Sequence, residues 1–339
     1  MAPPGETDRG RRSWLRIWAV PVAGAAGLLL LVYLVAELGP SRIAAQLHGL
    51  RSVLPVVLFI TAAKYPLQAA GWRLVLPPDT RPSWVESIAA TISGDALGYL
   101  TWAGPFTGEP LRAYLMRDSV SVVAGTAAGA MERTIYNVTA GLLVWAVLFV
   151  LVSATHTFAL VAAVAGSVLV VVVLVIRVKH GIRSPALADA PADRHAFAPA
   201  TKPQGPGRAE AVFNAVRELW RTRRGALPAV TLLCFAQHGV LVAEAYAILN
   251  ALTDDVTLRT ALIFEAVTKI VNTAGLVVPG RLGVSEGGSA LLADALGFAA
   301  SHGLSLALMR RVRALIWAGV GLVLLPLREA QARRHHRLT

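Results

Sequence analysis

Cysteine is almost missing from this chain: Cys234 is the only one in 339 residues. A single thiol excludes a disulfide framework and a Cys-based metal site, and its place inside an apolar run reads as packing against core or lipid. Charge is scarce as well. Asp, Glu, Lys and Arg make up 15% of the residues, against about 25% in soluble domains. Apolar residues make up 55%, and the mean hydropathy is +0.58. A chain this poor in charge reads as a membrane protein rather than a soluble one. Catalytic signatures are missing too: no G-x-S-x-G, P-loop, H-E-x-x-H or dinucleotide fingerprint occurs. His156, His195, His302 and the His335-His336 pair have no metal-ligand spacing. No catalytic residue, metal or cofactor is therefore assigned, and an enzyme is not expected.

Acidic residues are the rarer sign, 20 against 32 basic, and where the basic ones sit decides what they mean. Ten fall in 177–225 and four in 328–339, while Arg9, Arg11, Arg12 and Arg16 stand before or at the very start of the first apolar run. Arginines gathered at the ends of apolar runs mark cytoplasmic flanks beside anionic lipid. No aromatic-interleaved basic stripe or helix-turn-helix pattern accompanies them, so nucleic acid is not an expected partner. The N-terminal run reaches Val35, too long for a signal-peptide core, and no small-residue cleavage site follows before Glu37. It reads as an uncleaved first transmembrane helix.

Six apolar runs are long enough to span a bilayer, which takes about 20 residues: 15–37, 53–76, 120–150, 155–176, 227–250 and 304–327. Two more stretches, 84–117 and 257–298, are apolar but broken near their middles by glycine, proline and charge. The first break is Gly104-Pro-Phe-Thr-Gly-Glu-Pro-Leu-Arg112, with Gly104, Pro105 and Gly108 as its hinge. The second is Gly280-Arg-Leu-Gly-Val-Ser-Glu-Gly-Gly288, led in by Pro279, with Gly280 and Gly283 as its hinge. Such segments hold too much glycine for a straight span and too much charge to face lipid. Each fits a re-entrant hairpin, whose irregular turn is tolerated at membrane depth only where protein or water satisfies it. The predicted fold is all-α: a polytopic helical membrane protein with six full transmembrane helices plus two re-entrant helical hairpins.

The positive-inside rule puts both termini and the Arg177 to Arg224 stretch in the cytoplasm, with Arg42 and Arg51 outside as a mild violation. Segments 53–150 and 227–327 then cross the membrane in opposite senses. Their residues correspond: Glu109 and Glu286 stand 177 positions apart. Met131-Glu-Arg-Thr-Ile-Tyr-Asn-Val-Thr-Ala-Gly141 aligns with Met309-Arg-Arg-Val-Arg-Ala-Leu-Ile-Trp-Ala-Gly319 at an offset of 178. This reads as an inverted repeat within a single membrane domain, 1–339. Residues 15–37 form its first helix, 53–150 the first repeat, 155–176 a connecting helix and 227–327 the second repeat. Between the repeats, 178–225 is a cytoplasmic linker and interfacial helix: 183–207 carries five prolines, and 208–223 is basic and amphipathic.

The charges inside these apolar segments are the candidate site. Asp95, Glu109 and Arg112 belong to the first hairpin. They either cap it as an ion pair near the headgroups or, at a helix N-terminus exposed by the glycine break, help bind a phosphate. Glu132 and Arg133 lie within a long apolar run and must have partners, structural or substrate. Lys64 lies too deep in its run to reach either surface and is expected to face an interior cavity. On the second hairpin, Arg281 and Glu286 join Lys269 and Asn272; Glu265, Thr268, Lys269 and Asn272 fall at helical spacing on one face. Lys269 and the Arg310 to Arg313 group are the expected partners of that hairpin's charges.

Gly71-Trp-Arg73, the Pro105 to Arg112 segment, Glu132-Arg133 and above all Pro279-Gly-Arg-Leu-Gly-Val-Ser-Glu286 resemble the lysylphosphatidylglycerol synthase transmembrane-region family, also called flippase-like domain proteins. The resemblance covers roughly residues 15–330. It implies a multi-pass inner-membrane protein linked to translocation of lipids such as aminoacylated phosphatidylglycerol, hopanoids or lipid-linked saccharides. Members that make lysyl-phosphatidylglycerol carry a large soluble synthase domain; this sequence stops at Thr339, soon after its last apolar run, so that activity is not expected. The first functional reading is a flippase or transporter that holds an anionic lipid headgroup near Arg112, Arg133, Lys269 and Arg281. The alternative is a non-transporting membrane partner of a separate glycosyl- or aminoacyl-transferase. A third reading, a membrane-embedded transferase using Glu109 or Glu286 as base, lacks visible paired acid/base geometry.

Overall fold

The computed structural model describes residues 39–80, 82–101, 105–153, 207–275 and 281–338, together with Val278 and a few positions between 29 and 37. Most of the first expected span, the connecting helix at 155–176, the linker before residue 207, and the break residues Gly104, Pro279 and Gly280 lie outside the described residues. Among those described, every regular element is helical.

Helix α1 (Pro40–Gly49) runs through a short turn, Leu50–Ser52, into α2 (Leu54–Ala62) and α3 (Lys64–Val75). Two helices then form where the first broken stretch was read, α4 (Trp84–Leu100) and α5 (Pro105–Leu115), followed by α6 (Val122–Ser153). Beyond the linker come α7 (Arg208–Thr222) and α8 (Leu227–Asn250). The second broken stretch likewise gives two helices, α9 (Leu258–Ala274) and α10 (Val284–Ala295), and α11 (Ala300–Leu338) follows.

Local chemistry sets these boundaries. Pro105 opens α5, where its fixed φ and missing N–H cost nothing. Thr257 caps α9, its hydroxyl accepting from the Thr260 N–H at 3.1 Å. At the second break, Arg281 takes a left-handed φ of 53° and Gly283 one of 74°. Glycine adopts that region freely, whereas an arginine there is held by its surroundings.

The chain divides into two compact units. One holds residues 64–98, 105–238 and 318–339, and with them the first hairpin. Its core gathers Trp72, Leu76, Met116, Met131, Val230 and Cys234. The amphipathic α7 packs its apolar edge, Ala215, Val216, Leu219 and Trp220, onto this core. The hairpin closes through glycine: a Cβ on Gly94 would lie 2.7 Å from the Gly108 carbonyl oxygen. The Trp72 indole donates to the Gly125 carbonyl at 2.9 Å, tying α3 to α6.

The other unit holds residues 1–63, 99–104 and 239–317, and with them the second hairpin. Its core includes Leu50, Val57, Ile248, Phe264, Leu306 and Met309. Here a Cβ on Gly288 would meet the Val271 side chain at 2.6 Å, so the two hairpin arms again approach over a glycine. Gln46 binds α11 from α1, donating to Ser301 at 3.2 Å and accepting from Ser305 at 2.6 Å.

Among the described residues, two segments are long and apolar enough to cross a membrane: Val122–Val150 in α6, and Arg224–Asn250, which is α8 with its leading turn. The pair Pro40–Ser52 and Leu54–Val75, bent by 60°, makes a third if counted as one span. At 1.5 Å per residue the 29 residues of the α6 segment reach about 43 Å, more than the hydrocarbon core requires. Large apolar side chains are bare on the outside, Phe59 at 81% and Leu291 at 73%; surfaces of that kind face lipid or another protein.

Gly94→Ala is expected to destabilise the protein by about 1–3 kcal/mol, because the added methyl overlaps the Gly108 backbone. Gly141→Ala in α6, where nothing stands within 4 Å of the new methyl, is expected to leave the thermal midpoint unchanged or slightly raised. Thermal unfolding of the two variants in the same detergent checks the contrast.

Candidate functional site

Four helices bring the sequence's first group of charges together. α3 presents Lys64, Gln68 and Trp72 at a spacing of four, which puts them on one face. α4 contributes Asp95, α5 contributes Glu109 and Arg112, and α6 contributes Glu132 and Arg133. Gly129 on α6 leaves the room that the Glu109 carboxylate occupies; a methyl there would collide with it.

Three carboxylates meet three cations in this group. Lys64 Nζ donates to Asp95 at 2.6 Å, and Arg133 stands 3.8 Å from the same carboxylate. Arg133 Nη2 also donates to Glu109 at 3.3 Å. Arg112, only 2% exposed, lies between Glu109 at 3.6 Å and Glu132 at 3.8 Å. Those are ion-pair distances too long for hydrogen bonds. Its Nη2 donates instead to the Gln68 carbonyl at 3.3 Å, and its guanidinium lies 4.6 Å from the centre of the Trp72 ring. Arg112 Nε and Nη1, Glu109 Oε2 and Glu132 Oε2 are buried without a hydrogen bond among the described residues. A buried guanidinium held by charge and by an aromatic face, with open donors, is suited to exchanging partners.

The second group belongs to the other unit. Glu265 on α9 accepts from Lys269 at 2.8 Å, one turn along the same helix, and from Arg310 on α11 at 2.7 Å. Thr268 accepts from Arg310 Nη1 at 3.1 Å. Glu244, fully buried on α8, is met by Arg313 at 3.2 Å and Arg310 at 3.7 Å. Arg311 turns the other way and grips Glu286 of α10 at 2.5 Å, with Ser285 donating to the same carboxylate at 2.9 Å.

The structure thus brings Lys64, Asp95, Glu109, Arg112, Glu132 and Arg133 into one cluster. Glu286 takes Arg311 as partner, while Lys269 is held by Glu265. Asn272 lies on α9 one turn beyond Lys269 and makes no side-chain hydrogen bond among the described residues. Arg281 is half-buried in the hairpin break. Gly108 lies in the first arm-to-arm contact and Gly283 precedes α10 as its N-cap. Sequence reasoning missed Glu244 and the Gln68–Trp72 support of Arg112. Glu244 carried a usable signal, the one Asp, Glu, Lys or Arg side chain inside the 24-residue α8.

Arg112→Met strands Glu109 and Glu132 beside each other and is expected to lower stability by about 3–5 kcal/mol. The double variant Arg112→Met/Glu132→Leu removes one of those charges with it and is expected to recover a large part of the loss. Denaturation midpoints of the wild type, single and double variants check the coupling.

The family model described as the lysylphosphatidylglycerol synthase TM region aligns with residues 17–322. No curated protein and no solved structure matches the chain. With nearly the whole length aligned and its apolar helices in place, this is a helical membrane protein, and the chain belongs to the lysylphosphatidylglycerol synthase TM region family.

Proposed function

We propose that this protein is a lipid flippase or transporter, which takes an anionic lipid headgroup into its charged interior while the acyl chains stay in the bilayer. The observation that carries the reading is a repeated ion pair. In one unit, Glu109 of the second hairpin arm pairs with Arg133 of the following helix at 3.3 Å. In the other, Glu286 of the second hairpin arm pairs with Arg311 of the following helix at 2.5 Å. The two glutamates are 177 residues apart and the two arginines 178. A further correspondence sits on the same two helices. Thr139 bonds His238 at 3.0 Å, and Trp317, 178 positions later, donates to Thr61 at 3.1 Å.

These pairs support an inverted repeat, and the arginine-rich flanks support its placement with both termini on the cytoplasmic side of the plasma membrane, as six full spans and two re-entrant hairpins. Broken, charged segments in corresponding halves are what transporters use to hold substrate at mid-membrane depth. A phosphate reaching Arg133 or Arg311 replaces a carboxylate as partner, and in a poorly solvated site that exchange favours an anion over a neutral headgroup. No chemical step is assigned to the protein. Membrane lipids are its expected partners.

Reconstituted into vesicles, the wild-type chain is expected to move a fluorescent phosphatidylglycerol between leaflets. Arg133→Gln and Arg311→Gln, inserted at equal levels, are each expected to slow this by at least about tenfold, the loss of one charge-assisted hydrogen bond. Equal rates in all three would contradict the site. A wild-type protein that moves no lipid yet co-purifies stoichiometrically with a transferase would contradict transport and favour the scaffold reading.

A further inference from the structure

The charges of the first-hairpin cluster form an alternating row. Lys64 donates to Asp95 at 2.6 Å, and Arg133 stands between Asp95 at 3.8 Å and Glu109 at 3.3 Å. Glu109 and Glu132 then share one guanidinium nitrogen, Arg112 Nη1, at 3.6 and 3.8 Å. From Lys64 to Glu132, cation and carboxylate alternate, and the six charges cancel. The row also runs inward: the Arg133 side chain is 27% exposed, Glu109 10% and Glu132 2%.

Glu132 closes the buried end and is the least firmly held member. Asp95 and Glu109 each lie between two cations, whereas the one ion pair of Glu132 among the described residues is its share of Arg112. Its Oε2 is buried without a hydrogen bond. Arg133 is the next residue in sequence, and successive residues of a helix do not share a face. Gly71 on α3 leaves room for the carboxylate, since a Cβ there would stand 3.4 Å from Glu132 Cγ. Around Glu132 the charged groups are Lys64 on α3, Asp95 on α4, Glu109 and Arg112 on α5, and Arg133 on α6. Cys234 on α8 belongs to the core next to it, and His238 on α8 meets Tyr136 and Thr139 further along α6. On α7, Glu210, Arg217, Glu218 and Arg221 are exposed.

An anion that takes Arg133, the outer arginine, breaks this row. Asp95 keeps Lys64 at 2.6 Å. Glu109 falls back on Arg112, and Glu132 loses its share of that guanidinium. The row with its anion now carries one net negative charge, which is costly among apolar helices. A proton on the Glu132 carboxylate removes it. Glu132 suits that proton better than Glu109, because it is the more deeply buried of the two and has no hydrogen bond to lose.

We infer that Glu132 is a proton-binding site, which takes one proton from water for each anionic headgroup that draws Arg133 away from Glu109. Headgroup and proton then occupy the interior together as a neutral pair. The site rests on the headgroup reading and supplies the ion that accompanies the headgroup.

The full-length protein in maltoside detergent tests it, with a short-chain diether phosphatidylglycerol as probe. The phosphodiester of that lipid does not titrate near neutral pH, and the lipid has no ester carbonyl. Titration in weak buffer with a pH indicator counts protons. The wild type is expected to take up about one proton per lipid bound, so that affinity falls by up to about tenfold per unit rise in pH. In infrared difference spectra, binding is expected to produce the C=O stretch of a protonated carboxyl, recognised by its shift in heavy water. Glu132→Asp is expected to keep the uptake and move that band. Glu132→Gln is expected to lose uptake and band and to bind the lipid more tightly, since its row already lacks one negative charge. If Glu132→Gln does not fold, the wild-type proton count and the Glu132→Asp band decide. Lipid bound by the wild type without proton uptake, uptake that persists in Glu132→Gln, or a band that Glu132→Asp leaves in place would overturn the proton site and leave the headgroup reading standing. A wild type that neither binds nor moves phosphatidylglycerol overturns both.

Discussion

A carboxylate buried among apolar helices keeps its charge only beside a cation, and this constraint organises the protein. Glu109, Glu132, Glu244, Glu265 and Glu286 are all buried, and each lies within ion-pair distance of at least one arginine. Desolvating a charge costs several kcal/mol even in a relaxed protein interior, so these pairs fix which helices must be neighbours. α10 is tied to α11 by Glu286 and Arg311, and α5 to α6 by Glu109 and Arg133. Glycines at the arm contacts, Gly94 with Gly108 and Gly288 with Val271, let the backbones come close enough for such pairs to form.

Pairs that hold a fold together can also be an activity's working parts. Arg112 is held by two carboxylates at distances too long for hydrogen bonding and by the face of Trp72. Its arrangement is looser than that of Arg311, which has a direct contact with Glu286 at 2.5 Å. A guanidinium that shares partners can trade one of them for a ligand with little net loss of interaction, whereas a closed pair must first be broken. Each unit thus pairs a glutamate of its second hairpin arm with an arginine of the helix that follows.

Much of this was legible in the sequence. Glycine and proline with charge inside apolar stretches located the breaks between α4 and α5 and between α9 and α10, because neither residue favours a straight helix. The demand that Glu132 and Arg133 find partners was legible too, since charge in an apolar run has few alternatives. Which cation would take which carboxylate was not. Lys269 and Arg311 were both within reach of Glu286 on paper, and the i,i+4 spacing of Glu265 and Lys269 settled it locally. Glu244 escaped because one carboxylate in a long apolar helix looks like a lapse of pattern until α11 brings Arg310 and Arg313 against it. The role of α7 was half legible: its amphipathic pattern was plain, but pattern alone does not distinguish lipid from the protein core onto which Leu219 and Trp220 pack.

The central claim is that lipid headgroups enter the charged interior instead of passing along the outside. Photo-crosslinking with a phospholipid bearing a diazirine on its headgroup, applied to the protein in nanodiscs and read by peptide mapping, tests it directly. The account predicts labelling of the α6 and α11 peptides that contain Arg133 and Arg311, suppressed by excess phosphatidylglycerol. Labelling confined to bare outer surfaces such as those around Phe59 and Leu291, and indifferent to that competitor, would contradict it.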